Sequence, residues 1–451
     1  MDDQLLTGLN TEQRLAASHG NDPLLIIAGA GTGKTTTLVH RVANHIRSGT
    51  DPSRILLLTF TRRAAAEMLS RVDDVLNRLQ RNSQGAVLNS QAARSQIWGG
   101  TFHATAARLL RTFGTAIGLN DKFTIQDRSD SADLMDVVRS DLGLAAADRR
   151  FPKKQTCLDI CSQCINTGQG LEATLAASFP WCAEYADPLK RLFRAYSEYK
   201  TAASLLDYDD LLLYWHAALS EPAVGNRIRQ RFDCVLVDEY QDTNSLQSEI
   251  VQLLRPDGTG VTVVGDDAQS IYSWRGATVR NILDFPKQFS KVTVIKLEQN
   301  YRSTQPILRA TNAIIAQATE RHEKELWSAR EAGSKPRLVT CADDHDQAEF
   351  IVQQVLQQRE SGVDLRRQAI LFRASQHSIL LEAELARHNI PFVKYGGLKF
   401  IESAHVKDLL AILRLAENPL DVVAGTRLLR MLPGIGPKKA QQLMQATAIA
   451  L

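Results

Sequence analysis

The sequence predicts an α/β fold class built on a parallel β-sheet, and three observations support this. Apolar runs of strand length recur through the first 300 residues, and their nearly continuous apolar character is typical of strands covered on both faces. Amphipathic helical patterns lie between these runs. A glycine-rich segment directly follows the first run, at the strand end where such sheets bind ligands. The five runs are residues 23–29, 54–60, 232–239, 260–266 and 291–297.

Size and composition limit the classes of function. A chain of 451 residues is long enough for about three domains, each with its own core. Because 53 basic residues nearly balance 50 acidic ones, binding to nucleic acid would depend on local patches or stacking rather than on bulk charge. The sequence contains no signal peptide or membrane-spanning run, so we expect no membrane partner. Six cysteines without a secretory signal predict free thiols and a cytoplasmic location.

The pattern along the chain predicts several domains. Strand-like runs disappear between about 105 and 205, where amphipathic patterns dominate, so we predict a helical subdomain inserted into the first α/β domain. Strands are predicted again at 336–341, 368–373 and 391–397, in a second, partial α/β domain. The predicted boundaries are 1–104 and 206–298 for the first α/β domain, 105–205 for the insert, 299–397 for the second α/β domain and 398–451 for the start of a helical accessory domain.

Residues 28–35, AGAGTGKT, lie between a predicted strand and a predicted helix, the context in which this pattern binds phosphate. Its glycines would let backbone N–H groups surround phosphate oxygens, Lys34 would reach the β- and γ-phosphates of ATP, and Thr35 would offer its hydroxyl to Mg²⁺. A glycine-rich turn without a ligand is the alternative. The candidate nucleotide-binding residues here are Ala28, Gly29, Ala30, Gly31, Thr32, Gly33, Lys34, Thr35 and Thr36.

A pair of carboxylates follows the third apolar run, at a predicted strand end. Asp238 suits a Mg²⁺ ligand beside Thr35, and Glu239 suits orienting or deprotonating a water for attack on the γ-phosphate. Taken alone, such a pair is most often a solvated turn. Together with the phosphate-binding pattern, it predicts a nucleotide-hydrolysis site.

The stretch 265–276, GDDAQSIYSWRG, combines two kinds of chemistry. Its adjacent acids and Gln269 suit a metal–phosphate centre, whereas Tyr272, Trp274 and Arg275 suit the flat face of a base. A loop that contacts phosphate at one end and a base at the other could make the affinity for a nucleic-acid strand depend on the bound nucleotide. Ordinary core packing of the two aromatic residues is the alternative.

Several motifs, in order, resemble those of the UvrD/Rep/PcrA-type DNA helicases of superfamily 1. The resemblance extends from LNTEQRLA near the start over almost the whole chain. It implies RecA-like domains of the P-loop NTPase class, the second of them partial. The motifs are AGAGTGKT, TFTRRAAAEM, GTFHA, LDYDDLL, VDEYQDTN, VGDDAQSIYSWRGA, LEQNYRST and YGGLKFIESAHVKDLLAILRL.

The resemblance also implies roles for individual residues. Gln13 would read the adenine edge and Tyr301 would stack on the adenine. Arg302 would approach the γ-phosphate, which Gln269 would sense. The candidate catalytic residues are Lys34, Glu239, Gln269 and Arg302. The residues implied to contact single-stranded DNA are Thr59, Phe60, Thr61, Phe102, His103, Tyr272, Trp274 and Arg275, although Phe60 at a strand end could instead be a core residue.

Residues 431–443, MLPGIGPKKAQQL, resemble a helix–hairpin–helix turn that contacts duplex DNA. Gly434 and Gly436 would let backbone amides approach a phosphate, with Lys438 close by. A glycine-punctuated connection between helices is the alternative.

Two other patterns have a structural and a functional interpretation. The C-x₃-C-x₂-C spacing of Cys157, Cys161 and Cys164, with Cys182 as a fourth ligand, could hold an iron–sulfur cluster, but it also matches one face of a helix. We favour the helix face. The carboxylates of LDYDDLL, residues 206–212, could form a ligand site or cap a helix.

The leading hypothesis is an ATP-driven motor that moves 3′ to 5′ on single-stranded DNA and separates strands at single-strand/duplex junctions. The polarity and the substrate come only from the resemblance. A nucleotide-responsive DNA-binding protein without productive turnover is the alternative. In the family, late motifs that include an arginine finger follow the last motif found here, and such a finger raises the rate about 10³–10⁵-fold. We therefore expect this chain to bind ATP and DNA, to hydrolyse ATP slowly and not to unwind DNA.

Overall fold

The computed structural model describes residues 5–82, 96–145, 150–395, 404–436, 439–440, 442–444 and 446. They form two compact units. The first unit comprises residues up to 334 together with 420–423, and the second comprises residues 335–419 together with those from 424 onward. None of the described helices combines the length and the apolar character needed to cross a membrane.

Apolar runs in the sequence become short parallel strands. Eight strands occur among the described residues, namely β1 (Leu24–Ala28), β2 (Ile55–Leu58), β3 (Trp98–Gly100), β4 (Thr124–Ile125), β5 (Leu205–Leu206), β6 (Cys234–Val237), β7 (Val261–Gly265) and β8 (Thr293–Leu297). Six of them form one parallel sheet in the order β3-β2-β6-β7-β1-β8, and β4 pairs with β5 separately. In this order the carboxyl ends of β6, β7 and β1 are neighbours, so the segments that follow them meet at one edge of the sheet.

The five predicted strands of the first α/β domain are confirmed as β1, β2, β6, β7 and β8. Every residue of β1, β2, β6 and β7 is buried, because helices cover both faces of the sheet. The edge strand β3 was not predicted, since it has three residues and two of them are glycines with weak strand propensity.

Amphipathic segments form the helices that cover the sheet and build the insert. The described helices of the first unit are α1 (Thr11–Ser18), α2 (Lys34–Arg47), α3 (Arg62–Asn82), α4 (Phe102–Phe113), α5 (Arg128–Asp141), α6 (Lys154–Thr167), α7 (Leu171–Ser178), α8 (Ala186–Ala202), α9 (Tyr208–Ser220), α10 (Pro222–Arg229), α11 (Ser245–Leu254), α12 (Arg280–Leu283), α13 (Phe285–Gln288) and α14 (Gln305–Ile315). Four more follow, namely α15 (Asp344–Glu360), α16 (Ile379–Arg387), α17 (Ala404–Glu417) and α18 (Val422–Leu429).

The predicted helical insert has an apolar core of its own, built by α5, α6, α7 and α8. Its first member along the chain is Ala132. The predicted start of the insert at residue 105 falls inside α4, and that helix packs its apolar side into the core of the sheet. The core of the insert thus begins at Ala132, and the predicted domain boundary at residue 105 stays a prediction.

The described residues of the second unit form helices but not the strands that the sequence predicted. Residues 336–341 and 368–373 and the described part of 391–397 have no strand hydrogen bonds. Apolar side chains in these segments are exposed, for example Leu338 and Leu371. A β-strand requires a neighbouring chain to satisfy its backbone groups, and the described residues supply none here. The small core of this unit lies instead between α15 and α16.

Candidate nucleotide and nucleic-acid site

The loop between β1 and α2 presents backbone N–H groups at the carboxyl edge of the sheet. Gly31 and Gly33 have φ angles of 80° and 87°, in the left-handed region that favours glycine. Helix α2 begins at Lys34, and no side chain caps its first turn. The N–H groups there are therefore available to an anion, which the helix dipole also favours.

Two distant segments close around this loop. A Cβ added to Gly31 would lie 2.6 Å from Cβ of Arg302, and one added to Gly33 would lie 2.5 Å from Nε2 of Gln13. Gln13 Nε2 also donates to a carbonyl of the loop at 2.8 Å. The backbone N–H of Tyr301 donates to the carbonyl of Gly31 at 2.9 Å. Three residues predicted to surround the adenine and γ-phosphate thus lie beside the glycine loop.

Two asparagines that the sequence argument missed hold these segments together. Asn10 caps α1, and its Nδ2 donates to the hydroxyl of Tyr301 at 3.1 Å. Asn300 Nδ2 donates to the carbonyl of Ala30 at 2.5 Å, while its Oδ1 accepts from the backbone N–H of Arg302 at 2.8 Å. Asn10 precedes a helix and has a glutamine three residues later, which is a recognisable capping box. Asn300 has no such local signal.

The carboxylate pair Asp238 and Glu239 follows β6, across from the glycine loop. Glu239 has a φ of 52°, a left-handed conformation that non-glycine residues adopt rarely and that Ser204 and Asn389 also show among the described residues. Its Oε2 accepts from Lys34 Nζ at 3.0 Å. The structure therefore brings these two predicted catalytic side chains into direct contact.

Asp238 is buried, and its Oδ1 has no hydrogen-bond partner among the described residues. Burial, together with the negative charge of Glu239, raises the pKa of Asp238 to about 7, against the opposing effect of Lys34. A buried carboxylate oxygen without a donor suits a cation. The described residues contain no cluster of three or more His, Cys, Asp or Glu for a metal. A single carboxylate with Thr35 fits Mg²⁺, because this ion commonly takes most of its ligands from water and phosphate.

The acids of the loop 265–276 are held by a lysine instead of being free for a metal. Lys324 Nζ lies 2.8 Å from Oδ1 of Asp266 and 2.5 Å from Oδ1 of Asp267. All three side chains are almost completely buried, with Lys324 at 4% exposure. Gln269 Nε2 donates to Oδ2 of Asp266 at 2.6 Å. The suggestion that these two acids serve a metal–phosphate centre is therefore wrong, since both carboxylates are buried against Lys324, which balances one of their two negative charges.

The aromatic residues of the same loop form a row together with Phe60. The ring centroids of Phe60 and Tyr272 are 4.7 Å apart, and those of Tyr272 and Trp274 are 6.2 Å apart. The guanidinium of Arg275 lies 4.6 Å from the ring centroid of Trp274. Trp274 is 63% exposed, and neither Phe60 nor Tyr272 is buried in the core. The alternative of ordinary core packing does not fit this row.

Comparisons with known proteins identify the family of this chain. The sequence model of the UvrD/REP helicase N-terminal domain matches residues 9–290, well over half of the chain. The chain belongs to the UvrD-like helicase family. The sequence model of the UvrD-like helicase C-terminal domain matches residues 295–451. The α/β fold with its parallel sheet is consistent with the RecA-like domains of this helicase family.

Three relatives show the extent of the similarity. The chain is 38% identical to the ATP-dependent DNA helicase UvrD1 of Mycobacterium tuberculosis over 445 residues, which are 95% of this chain and 55% of that protein. It is 38% identical to the ATP-dependent DNA helicase PcrA of Leuconostoc citreum, over 94% of this chain and 54% of that protein. It is 36% identical to DNA helicase II of Escherichia coli, over 98% of this chain and 59% of that protein. The chain thus spans little more than half the length of these relatives.

Some predicted DNA contacts of this UvrD-like chain lie below the surface. Phe102 is 5% exposed, and its ring centroid lies 6.1 Å from that of Trp215 in the sheet core. The prediction that its ring lines a DNA track is therefore wrong, because the first turn of α4 directs it inward. Thr59 is buried too, and the hydroxyl of Thr61 caps α3. His103 is half-buried, and burial lowers its pKa to about 4.

The remaining predicted site residues of the UvrD-like chain lie at the end of β1, at the start of α2 and in the predicted duplex-binding turn. Ala28 ends β1, and Thr35 and Thr36 lie in the first turn of α2. Gly434 has a φ of 80° and Gly436 is also described, whereas Lys438 lies outside the described residues. The helix–hairpin–helix resemblance stays a prediction.

The cysteine and LDYDDLL patterns are explained by packing. The three spaced cysteines lie on α6 and pack with Cys182 in the core of the insert, where burial raises the pKa of Cys157 to about 12. No group of three or more possible metal ligands occurs there among the described residues. Asp207 and Asp210 form a capping box at the start of α9, and Lys200 lies within 2.6 Å of both carboxylates. The helix-face and helix-cap interpretations are confirmed.

Proposed function

We propose that this chain binds ATP and single-stranded DNA as the motor of a helicase and moves 3′ to 5′ along the strand. One observation carries the proposal. Within the first compact unit, the N–H of Asp266 at one end of the loop 265–276 donates to Gln241, which contacts Glu239, and the other end of the loop carries Tyr272 and the exposed Trp274. The names of the relatives, ATP-dependent DNA helicases, support the same function.

In this proposal the nucleotide lies on the glycine loop. The backbone N–H groups of residues 29–33 and the side chain of Lys34 hold the phosphates. Glu239, released from Lys34 by the triphosphate, orients and deprotonates the attacking water. Gln13 and Tyr301 contact the adenine, while Arg302 and Gln269 contact the γ-phosphate. Thr35 and Asp238 would hold Mg²⁺, which when bound neutralises charge on the phosphate oxygens.

Asp238 makes the affinity for the Mg²⁺–nucleotide complex dependent on pH. Because its pKa is raised to about 7, the carboxylate is largely protonated at pH 6 and largely ionised at pH 8. A metal ligand must be ionised, so the affinity should rise about 10-fold between these pH values. Titration with a fluorescent ATP analogue and Mg²⁺ measures it. Asp238→Asn should flatten the pH profile, and an unchanged profile in that variant would rule out Asp238 as the ligand.

DNA binding in the proposal depends on stacking more than on charge. Each base stacked on an aromatic side chain contributes about 1–3 kcal/mol, irrespective of sequence. Phe60, Tyr272 and Trp274 offer three adjacent rings. Four further expectations stay predictions. They are a preference for single-strand/duplex junctions, the domain boundaries inside the two units, a cytoplasmic location and slow turnover by this chain.

Replacing Tyr272 and Trp274 together tests the proposed function. Tyr272→Ala with Trp274→Ala should weaken binding of a fluorescent oligo-dT by about 10-fold or more, since two stacking contacts are lost. Fluorescence anisotropy at fixed salt measures this affinity. Trp181→Ala, which removes an exposed tryptophan of the insert, is the matched control. Equal affinity of the double variant and this control would refute the assigned DNA surface.

A further inference from the structure

A buried glutamine connects the nucleotide side of the site to the loop 265–276. Gln241 lies two residues after Glu239 and is 1% exposed. Its side-chain Nε2 donates to Oε2 of Glu239 at 2.8 Å. Its Oε1 accepts from the backbone N–H of Asp266, the second residue of the loop, at 3.0 Å. One carboxamide therefore holds a carboxylate on one side and a loop backbone on the other.

Both ends of this connection reach groups with a proposed role. The Glu239 oxygen that Gln241 contacts is also the oxygen that accepts from Lys34. On the other side, the carboxylate of Asp266 accepts from Gln269. The backbone carbonyl of Gln241 also accepts from the hydroxyl of Ser270 at 3.2 Å, which adds a second contact with the loop. A continuous series of hydrogen bonds thus joins the phosphate-side lysine to the loop that carries the aromatic row.

Gly265 leaves the space that the side-chain carboxamide of Gln241 occupies. A Cβ added to Gly265 would lie 2.5 Å from Oε1 of Gln241 and 2.7 Å from Cδ1 of Ile282. Any side chain at that position would displace the carboxamide. The hydrogen bond from Asp266 is buried, so the loss of its partner would leave a polar group unsatisfied, whereas the bond to Glu239, whose side chain is 32% exposed, is only partly buried.

We infer that Gln241 is a positioning residue that transmits the position of Glu239 to the loop 265–276. The inference rests on the proposed function. When a triphosphate draws Lys34 away, Glu239 loses its ion-pair partner and keeps Gln241 as its donor. Movement of the carboxylate then shifts the carboxamide and, through the N–H of Asp266, the loop. Coupling between two binding sites typically changes affinity about 5- to 150-fold, so this effect is measurable.

Gln241→Met tests the inference, because methionine has a similar length and fills the space without either hydrogen bond. The measured quantity is the ratio of oligo-dT dissociation constants without and with a non-hydrolysable ATP analogue. We expect this ratio to fall from several-fold in the parent chain to about 1 in the variant, with each ligand alone bound within about threefold of the parent. Gln288→Met, a partly buried glutamine away from the site, is the matched control.

Hydrogen–deuterium exchange on the whole chain separates positioning from mere packing. In the parent, the ATP analogue should change protection in both residues 28–36 and residues 262–276. In Gln241→Met it should change protection only in residues 28–36, which also reports that the variant is folded. Gln241→Asn keeps the amide but is one methylene shorter, so it should behave like Gln241→Met.

The outcomes distinguish the inference from the proposed function. A parent chain that binds neither the ATP analogue nor oligo-dT would overturn the proposed function. A parent-like affinity ratio, or parent-like protection of residues 262–276, in both Gln241 variants would overturn the role of Gln241 alone.

Discussion

Glu239→Gln should lower the oligo-dT-stimulated rate of ATP hydrolysis by about 10²–10⁴-fold, the contribution that a general base typically makes. The amide oxygen can still accept from Lys34, which lies 3.0 Å from the carboxylate in the parent, so the phosphate pocket keeps its shape. The amide cannot take a proton from water. The dissociation constant of the ATP analogue should therefore change by less than about threefold. Steady-state phosphate release and analogue titration measure the two quantities.

The matched control is Glu249→Gln, which changes an exposed carboxylate on α11 that pairs with His216. Its rate should stay within about twofold of the parent, because an exposed ion pair contributes little. If Glu239→Gln and Glu249→Gln hydrolysed ATP at similar rates, Glu239 would have no part in the reaction.

Lys324→Met should destabilise the fold by about 3–5 kcal/mol, the usual effect of removing one partner from a buried ion pair. The substitution leaves the buried carboxylates of Asp266 and Asp267 without their cation. Their remaining donors, such as the Gln269 amide and the N–H of His322, do not neutralise two charges. Urea unfolding followed by tryptophan fluorescence measures the free energy of unfolding.

Lys287→Met provides the comparison, because Lys287 forms an ion pair with Asp284 while its side chain is largely exposed. We expect a loss of less than about 1 kcal/mol in that variant. A similarly small loss in Lys324→Met would mean that the two acids do not depend on the lysine.

Much of the fold could be predicted because its signals are local. Buried parallel strands such as β1 and β6 are continuous apolar runs in the sequence. Residues 29–34 form a glycine-rich motif that is typical of a phosphate-binding loop between a strand and a helix. The strands predicted at 336–341 and 368–373 were wrong because an apolar run needs a hydrogen-bonded neighbour as well as the right composition.

The parts of the site that could not be predicted depend on contacts between distant segments. Lys324 is a lysine in a charged stretch, and nothing nearby in sequence indicates that it pairs with Asp266. Gln241 is part of a motif, yet its two partners become evident only when β6 and β7 lie side by side. Phe102 was wrongly assigned because the sequence does not specify which way a side chain in the first helical turn points.

The most direct test of the whole account compares the affinity of the parent chain for oligo-dT in three nucleotide states. These are the nucleotide-free chain, the chain saturated with Mg²⁺ and a non-hydrolysable triphosphate, and the chain saturated with Mg²⁺ and ADP. If the loop 265–276 connects phosphate to base, the dissociation constants should differ by about fivefold or more between the triphosphate state and the other two. Identical dissociation constants in all three states would contradict the account.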